Sequence, residues 1–99
     1  MSMTVGILSF ELHIPASRSL KEKRKVIKGL VDRIHARFRV SVAETDFHDL
    51  RQRAEIGVAV VTHGPAEAER MLESIRDIVD REMEAMVTRW DPQILQGEG

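Results

Sequence analysis

The sequence predicts a single α+β domain with a split β-α-β layout, in which a four-stranded antiparallel sheet carries two helices on one face. Three observations lead to this prediction. Apolar residues alternate with a period of two in three short segments, two longer segments repeat apolar residues at helical spacing, and with a last strand near the chain end the segments follow the order β-α-β-β-α-β. Right-handed crossovers then give the strand order 4-1-3-2. The 99 residues fit one domain over 1–99, with an ordered core of about 4–95.

The first strand is predicted over 5–14, and the first helix from the cap residue Ser19 to about Arg37. Pro15 ends the strand, and Ser19 with Glu22 forms a capping box in which hydroxyl and carboxylate accept from free backbone N–H groups. Apolar residues then recur at helical spacing along the helix. They are Leu20, Ile27, Leu30, Val31 and Ile34.

Two further strands and a second helix complete most of the fold. The second strand is expected over roughly Phe38–Thr45 and the third over Glu55–His63, and the polar connector Asp46–Ala54 between them is longer than a tight hairpin needs. Gly64 followed by Pro65 begins the second helix. Its apolar stripe consists of Ala68, Met71, Leu72, Ile75, Ile78 and Val79.

The last strand is predicted over about Glu84–Asp91, ending before Pro92, and the chain is expected to fray from Gly97. In this topology the end of the first strand, the start of the first helix and the long connector meet at one end of the sheet. That end is where the sequence places a candidate site.

Charge is distributed unevenly along the chain. The net charge is -1, yet the segment from Arg18 to Arg39 holds nine basic residues against Glu22 and Asp32, a local balance of +7. A near-neutral protein with one basic element can attract phosphates locally, whereas its acidic remainder argues against wrapping nucleic acid broadly.

The basic run lies at the start of the first helix, where cations oppose the helix dipole. The candidates for contact with an anion or an RNA backbone are Arg18, Lys21, Lys25 and Lys28. The alternative is that the basic residues are neutralised within the fold. The candidates for such structural ion pairs are Lys23, Arg24, Glu44, Asp46 and Asp49.

Catalysis and metal binding find little support. The chain has no cysteine, which excludes thiol catalysis and cysteine-based zinc sites, so no catalytic residue, metal or cofactor is predicted. His13, His48 and Asp49 lie near the candidate end, but their spacing matches no metal signature, and an enzyme built on them is the weakest hypothesis.

The sheet face without helices is expected to be small and only partly polar. RNA-recognition domains of this layout stack bases on strand aromatics, and the third strand offers Gly57, Ala59 and Val61 instead. That face is a candidate surface for a homodimer or another partner. The candidate interface residues are Ser9, Ala59, Val61 and Trp90, where Trp90 is open to either interface or core.

Several segments resemble the YlxP-like family, a bacterial family of unknown function. They are Glu11–Pro15, Ser19–Arg24, Val40–Glu44 and Gln52–Ala54, with Asp46, Asp49 and Gly57. The resemblance implies a ferredoxin-like fold and a setting among translation and ribosome-maturation genes, and it brings no established activity. The family pattern usually has an aromatic residue beside the connector glutamine, where this chain has Arg51.

These observations favour a cytoplasmic, non-enzymatic module that associates with RNA or the ribosome. The alternative is a small-ligand or protein-interaction domain that forms a homodimer through the open sheet face. No membrane association is expected, because the apolar stretches are far shorter than the roughly 20 residues that span a bilayer.

Overall fold

The computed structural model describes residues 3–97, which form four strands and two helices in the order β-α-β-β-α-β. The elements are β1 (Thr4–His13), α1 (Leu20–Arg37), β2 (Ser41–Asp46), β3 (Arg53–Thr62), α2 (Pro65–Asp80) and β4 (Met86–Gln96). All paired strands are antiparallel, in the order β2-β3-β1-β4. This is the predicted order 4-1-3-2 read from the other edge, and the predicted fold class is confirmed.

Burial alternates strictly along β1, which lies in the middle of the sheet. Leu8, Phe10 and Leu12 are buried, whereas Ser9 and Glu11 point to the opposite face and are partly exposed. Ile56 and Val58 of β3 continue the buried layer. The core therefore lies between one face of the sheet and the apolar stripes of the two helices, as the periodicities predict.

Both helices begin at the predicted residues. Ser19 caps α1, because its hydroxyl accepts from the backbone N–H of Glu22 at 3.1 Å, and the Glu22 carboxylate in turn accepts from the backbone N–H of Arg18. In α2, Pro65 occupies the first turn, and the carboxylate of Glu67 accepts from the backbone N–H of His63 at 3.1 Å.

Three of the four strands differ from their predicted bounds by two residues or more, whereas β1 differs by one residue at each end. β2 begins at Ser41 rather than Phe38, because Phe38 is the C-cap of α1 and donates its N–H to the carbonyl of Ile34. β3 begins at Arg53 rather than Glu55, which shortens the connector.

β4 begins at Met86 and runs past Pro92 to Gln96, so the prediction that it ends before the proline is wrong. β4 is an edge strand, and an edge strand tolerates a residue without an N–H group. Gly97, where fraying is predicted to begin, donates its N–H to the carbonyl of Met3 at 2.7 Å, and residues 98–99 lie outside the described part.

A buried lysine fastens the β2–β3 connector to α1. Lys23 is 0% exposed, and its ammonium group lies 2.9 Å from the Glu44 carboxylate. It also donates to the carbonyls of Phe47 at 2.8 Å and Arg53 at 3.2 Å. Phe47 has a φ of 63°, in the left-handed region that non-glycine residues rarely adopt. The ammonium group thus satisfies carbonyls on both sides of a tight connector.

A strip of charged and polar side chains crosses the helix-free face at the same end of the sheet. Arg53 bonds to Glu11 at 3.0 Å, and Arg89 bonds to Glu55 at 3.0 Å and to Ser9 at 2.8 Å. These contacts join β3, β1 and β4. We call these five residues the polar strip.

The first testable prediction concerns the buried lysine. Replacing Lys23 by Met leaves the Glu44 carboxylate without its ion-pair partner and the carbonyls of Phe47 and Arg53 without their donor, so the free energy of unfolding should fall by about 3 kcal/mol. The measurement is urea denaturation. The control is Lys28→Met, which removes an exposed ion pair with Asp32 and should cost less than about 1 kcal/mol. Equal unfolding midpoints for the two variants would contradict the assigned role of Lys23.

The second prediction concerns pH. The hydrogen bond from Arg53 lowers the pKa of Glu11, with Arg89 adding to the effect against a smaller opposing effect of desolvation. A carboxyl group with a lowered folded-state pKa stabilises the fold above its unfolded pKa and loses that contribution as pH falls through the folded value. The acid limb of the stability curve should therefore be shallower for Glu11→Gln than for the wild type, as thermal melts between pH 7 and pH 3 measure. Parallel acid limbs would refute this assignment.

Candidate functional site

The three segments predicted to meet at one end of the sheet do so. The backbone N–H of Ile14, just after β1, donates to the carbonyl of Gln52 at 2.9 Å. The Gln52 side chain donates to the carbonyls of Pro15 at 3.0 Å and Ser17 at 3.1 Å. The amide of Gln52 therefore ties the β2–β3 connector to the segment that leads into α1.

The predicted anion-binding residues divide into two groups. Arg18, Lys21 and Lys25 are exposed, and none of them forms an ion pair with any residue in the described range 3–97. Lys28 instead pairs with Asp32 one turn later, at 2.8 Å. The hydrogen bond to that carboxylate raises the pKa of Lys28. Lys28 is thus already paired, whereas the other three cations are open to an external partner.

Arg51 joins this basic surface, although it is absent from the residues that the sequence singles out as anion ligands. Its guanidinium lies 3.4 Å from the carbonyl oxygen of Arg18, a long contact that places the two residues side by side. We call Arg18, Lys21, Lys25 and Arg51 the basic cluster. In the sequence, Arg51 is marked only by its position before Gln52. The side-chain hydrogen bonds of Gln52 hold the connector, and with it Arg51, at the start of α1.

An open cleft of about 390 Å³ borders the basic cluster. Lys25 and Arg33 of α1 lie on its wall together with Glu82 and Glu84, which follow α2. Arg33 forms an ion pair with Glu82. The cleft thus has mixed charge, and Lys25 is the one member of the basic cluster in its lining.

The predicted ion-pair residues are placed in different ways. Lys23 pairs with Glu44, as described above. Asp46 accepts from the backbone N–H of Phe47 at 2.7 Å. Arg24 and Asp49 are exposed, and within the described chain neither they nor Asp46 takes part in an ion pair.

The histidines at this end are held by backbone carbonyls. Nδ1 of His13 lies 3.2 Å from the carbonyl oxygen of Gln52, and Nε2 of His48 lies 3.1 Å from that of Glu44. Among residues 3–97, no group of three or more histidine or acidic side chains is arranged to hold a metal ion. The two imidazole rings thus contact the backbone of the connector and of the neighbouring strand β2.

Three of the four interface candidates lie on the helix-free face. Ser9 belongs to the polar strip, and Ala59 and Val61 lie further along β3. Val61 is 67% exposed and pairs with Val5 of β1 across the sheet, and Val5 pairs on its other side with Leu95 of β4. An aliphatic row therefore crosses three strands beyond the polar strip.

Trp90, the fourth interface candidate, lies on the opposite face. It pairs with the buried Phe10 across the strands, and the two ring centroids are 5.0 Å apart. Trp90 is partly buried and packs against the core. It thus stands at the margin of the core, under α2 and away from the helix-free face.

Within the described residues, neither helix combines the length and the apolar character needed to cross a bilayer. Comparison with solved structures shows that the chain resembles a C-terminal segment of the alpha subunit of aIF2 from Pyrococcus abyssi. The TM-score is 0.55 at 22% identity, with 88% of this chain and 50% of that chain covered. This chain therefore spans half of that segment, and at such identity the likeness supports the fold alone.

Sequence comparisons identify the family. The chain is 33% identical over 87 residues to the uncharacterized protein YlxP of Bacillus subtilis strain 168, a match that covers 86% of this chain and 95% of the relative. The family model described as "Protein of unknown function (DUF503)" matches residues 5–91. The resemblance found from the sequence segments is thereby confirmed, and the chain belongs to this YlxP-like family of unknown function, DUF503.

Proposed function

We propose that this protein is a cytoplasmic, non-enzymatic module that binds RNA, either free or within the ribosome, through the basic cluster. The observation that carries the proposal is that Arg18, Lys21 and Lys25 are exposed and not neutralised by any acid in the described chain. The connector adds Arg51 beside them. Closely spaced cations of this kind suit the phosphates of a nucleic-acid backbone.

The position of the cluster strengthens its field. Arg18 precedes the N-cap Ser19, and Lys21 lies in the first turn of α1. The N-terminal end of a helix carries a partial positive charge, and cations there oppose it at a cost of about 0.3–1 kcal/mol each. A phosphate relieves this repulsion, because it interacts favourably with the dipole and with the side chains at once.

The contact we propose is with the sugar-phosphate backbone rather than with bases. The helix-free face presents Gly57 and Ala59 on β3 where other RNA-binding domains of this layout present aromatic rings. Backbone contacts position a nucleic acid without reading its sequence, so binding should depend on RNA shape and on salt.

The test of this proposal is a filter-binding titration with structured RNA at several salt concentrations. The double variant Lys21→Glu/Lys25→Glu should weaken binding and reduce the slope of log affinity against log salt by about 2, because two phosphate contacts are lost. Glutamate at position 21 lies in the first turn, where it suits the helix dipole, so α1 should remain folded.

The matched control is Arg70→Glu/Arg81→Glu, which makes the same charge change at exposed residues on and just after α2. It should keep the wild-type slope. Equal affinities for the two double variants, or no RNA binding by the wild type at low salt, would rule out the basic cluster as an RNA site.

A second candidate function is homodimerisation through the helix-free face, which the apolar row of exposed Val61 and Leu95 with the half-buried Val5 between them favours. The polar strip beside this row is already paired within one chain, so a second copy placed face to face meets no unbalanced charge there. Two sheets can pack in this way about 10 Å apart.

Sedimentation measures this assembly directly. The wild type should form dimers at high protein concentration, and Val61→Asp should be monomeric, because a carboxylate would be buried in the apolar row. The control Ala66→Asp changes an exposed residue in the first turn of α2 and should leave the dimer intact. A wild type that stays monomeric at all concentrations would disprove the dimer.

A further inference from the structure

A separate groove of about 270 Å³ lies between α2 and the edge strand β4. Its floor is formed by Leu72 of α2 and by Trp90, Pro92 and Ile94 of β4. Glu69 and Glu73 complete the lining on the α2 side. The groove shares no lining residue with the basic cluster, and neither proposed function uses it.

Beside the groove, α2 packs closely on β1, a central strand of the sheet. Gly6 of β1 is buried beneath α2, and a Cβ atom there would lie 3.6 Å from both Ala68 and Leu72 and 3.1 Å from Val60. The small residue lets the helix approach β1 closely. The helix-side face of β4 beyond it is left only partly covered, with Trp90 and Ile94 half-buried and Pro92 exposed.

Trp90 is fixed in position before any partner binds. Its ring centroid lies 5.0 Å from that of Phe10, and the guanidinium of Arg76 lies 4.8 Å from the Trp90 ring centroid. Asp80 holds Arg76 in turn at 2.9 Å. A ring restrained in this way loses little conformational freedom when an apolar group packs beside it.

The rim of the groove is acidic and unneutralised. Glu69 and Glu73 belong to the lining, Asp77 follows one turn further along the same side of α2, and all three are exposed. None of them takes part in an ion pair with any residue of 3–97. Arg76, whose guanidinium lies over the Trp90 ring, is already paired with Asp80.

We infer that this groove is a docking site for a basic, apolar segment of another protein, which places an aliphatic side chain against Trp90 and Ile94 and its lysine or arginine residues along Glu69 and Glu73. Charge complementarity selects the occupant. The acidic rim repels nucleic acid, and the apolar floor gains from a side chain that leaves water. A protein segment with both basic and apolar side chains suits the acidic rim and the apolar floor together.

The experiment uses Trp90 as its reporter, because it is the only tryptophan in the chain. The probe is a synthetic peptide of three Lys-Pro-Leu-Arg repeats, titrated into the full chain while tryptophan emission is recorded. The emission should change in a saturable way. A peptide with serine in place of leucine should bind more weakly, because it cannot fill the apolar floor.

The double variant Glu69→Gln/Glu73→Gln should weaken peptide binding by about tenfold, since it removes two exposed ion pairs with the peptide. The control Asp49→Asn/Glu84→Gln makes the same charge change at exposed acids outside the groove. It should bind the peptide as the wild type does.

Three results of the titrations would overturn the inference. They are the lack of a saturable emission change with the leucine peptide, an equal loss of affinity in both double variants, and an equal response to an RNA oligonucleotide. A shift of Trp90 emission with protein concentration alone would also overturn it, because the occupant would then be a second copy of this chain. The basic-cluster variant Lys21→Glu/Lys25→Glu should leave the emission response unchanged, so this test is separate from that of RNA binding.

Discussion

The ammonium group of Lys23 is removed from water while it holds the Glu44 carboxylate and the carbonyls of Phe47 and Arg53. One atom thereby fixes α1 relative to the end of β2, the connector and the beginning of β3. A buried ammonium group is tolerable only when its N–H groups find acceptors. The connector must therefore adopt a conformation that presents its carbonyl oxygens to Lys23. The left-handed backbone at Phe47 is part of that conformation. The positions of Arg51 and Gln52 depend on the same Lys23 contacts, because both residues lie in the connector that these contacts hold.

Periodicity was enough to predict the order of elements, the sheet topology and the buried faces. Those features depend on where apolar residues recur, and the recurrence is visible in the sequence. The path of β4 was not predictable in this way. A proline is a reliable stop signal inside a sheet and a poor one at its edge, and the edge position of β4 follows from the whole topology.

The candidate site was predictable only in its location. The topology alone predicts that the end of β1, the start of α1 and the connector meet. It does not predict that Arg51 lies beside Arg18. That contact depends on the hydrogen bonds that Gln52 donates to the carbonyls of Pro15 and Ser17. Such contacts join residues far apart in sequence and leave no periodic trace. The same holds for Trp90, whose side of the sheet is set by its register opposite Phe10. The two helices also differ in electrostatic character, since α1 begins with unpaired cations and α2 carries a row of unpaired acids among the described residues.

The position of β1 has a kinetic consequence. The strand stands in the middle of the sheet, and one of its neighbours is β4, so that Thr4 pairs with Gln96 near the other end of the described chain. The hydrogen-bonding groups on that side of β1 stay open until almost the whole chain is available. The chain must lose the entropy of closing a long loop before the contacts between distant strands can stabilise it. Topologies of this kind therefore fold more slowly than helical bundles of similar size. Of the four strands, β1 is therefore the first to be synthesised and the last to have both of its edges paired.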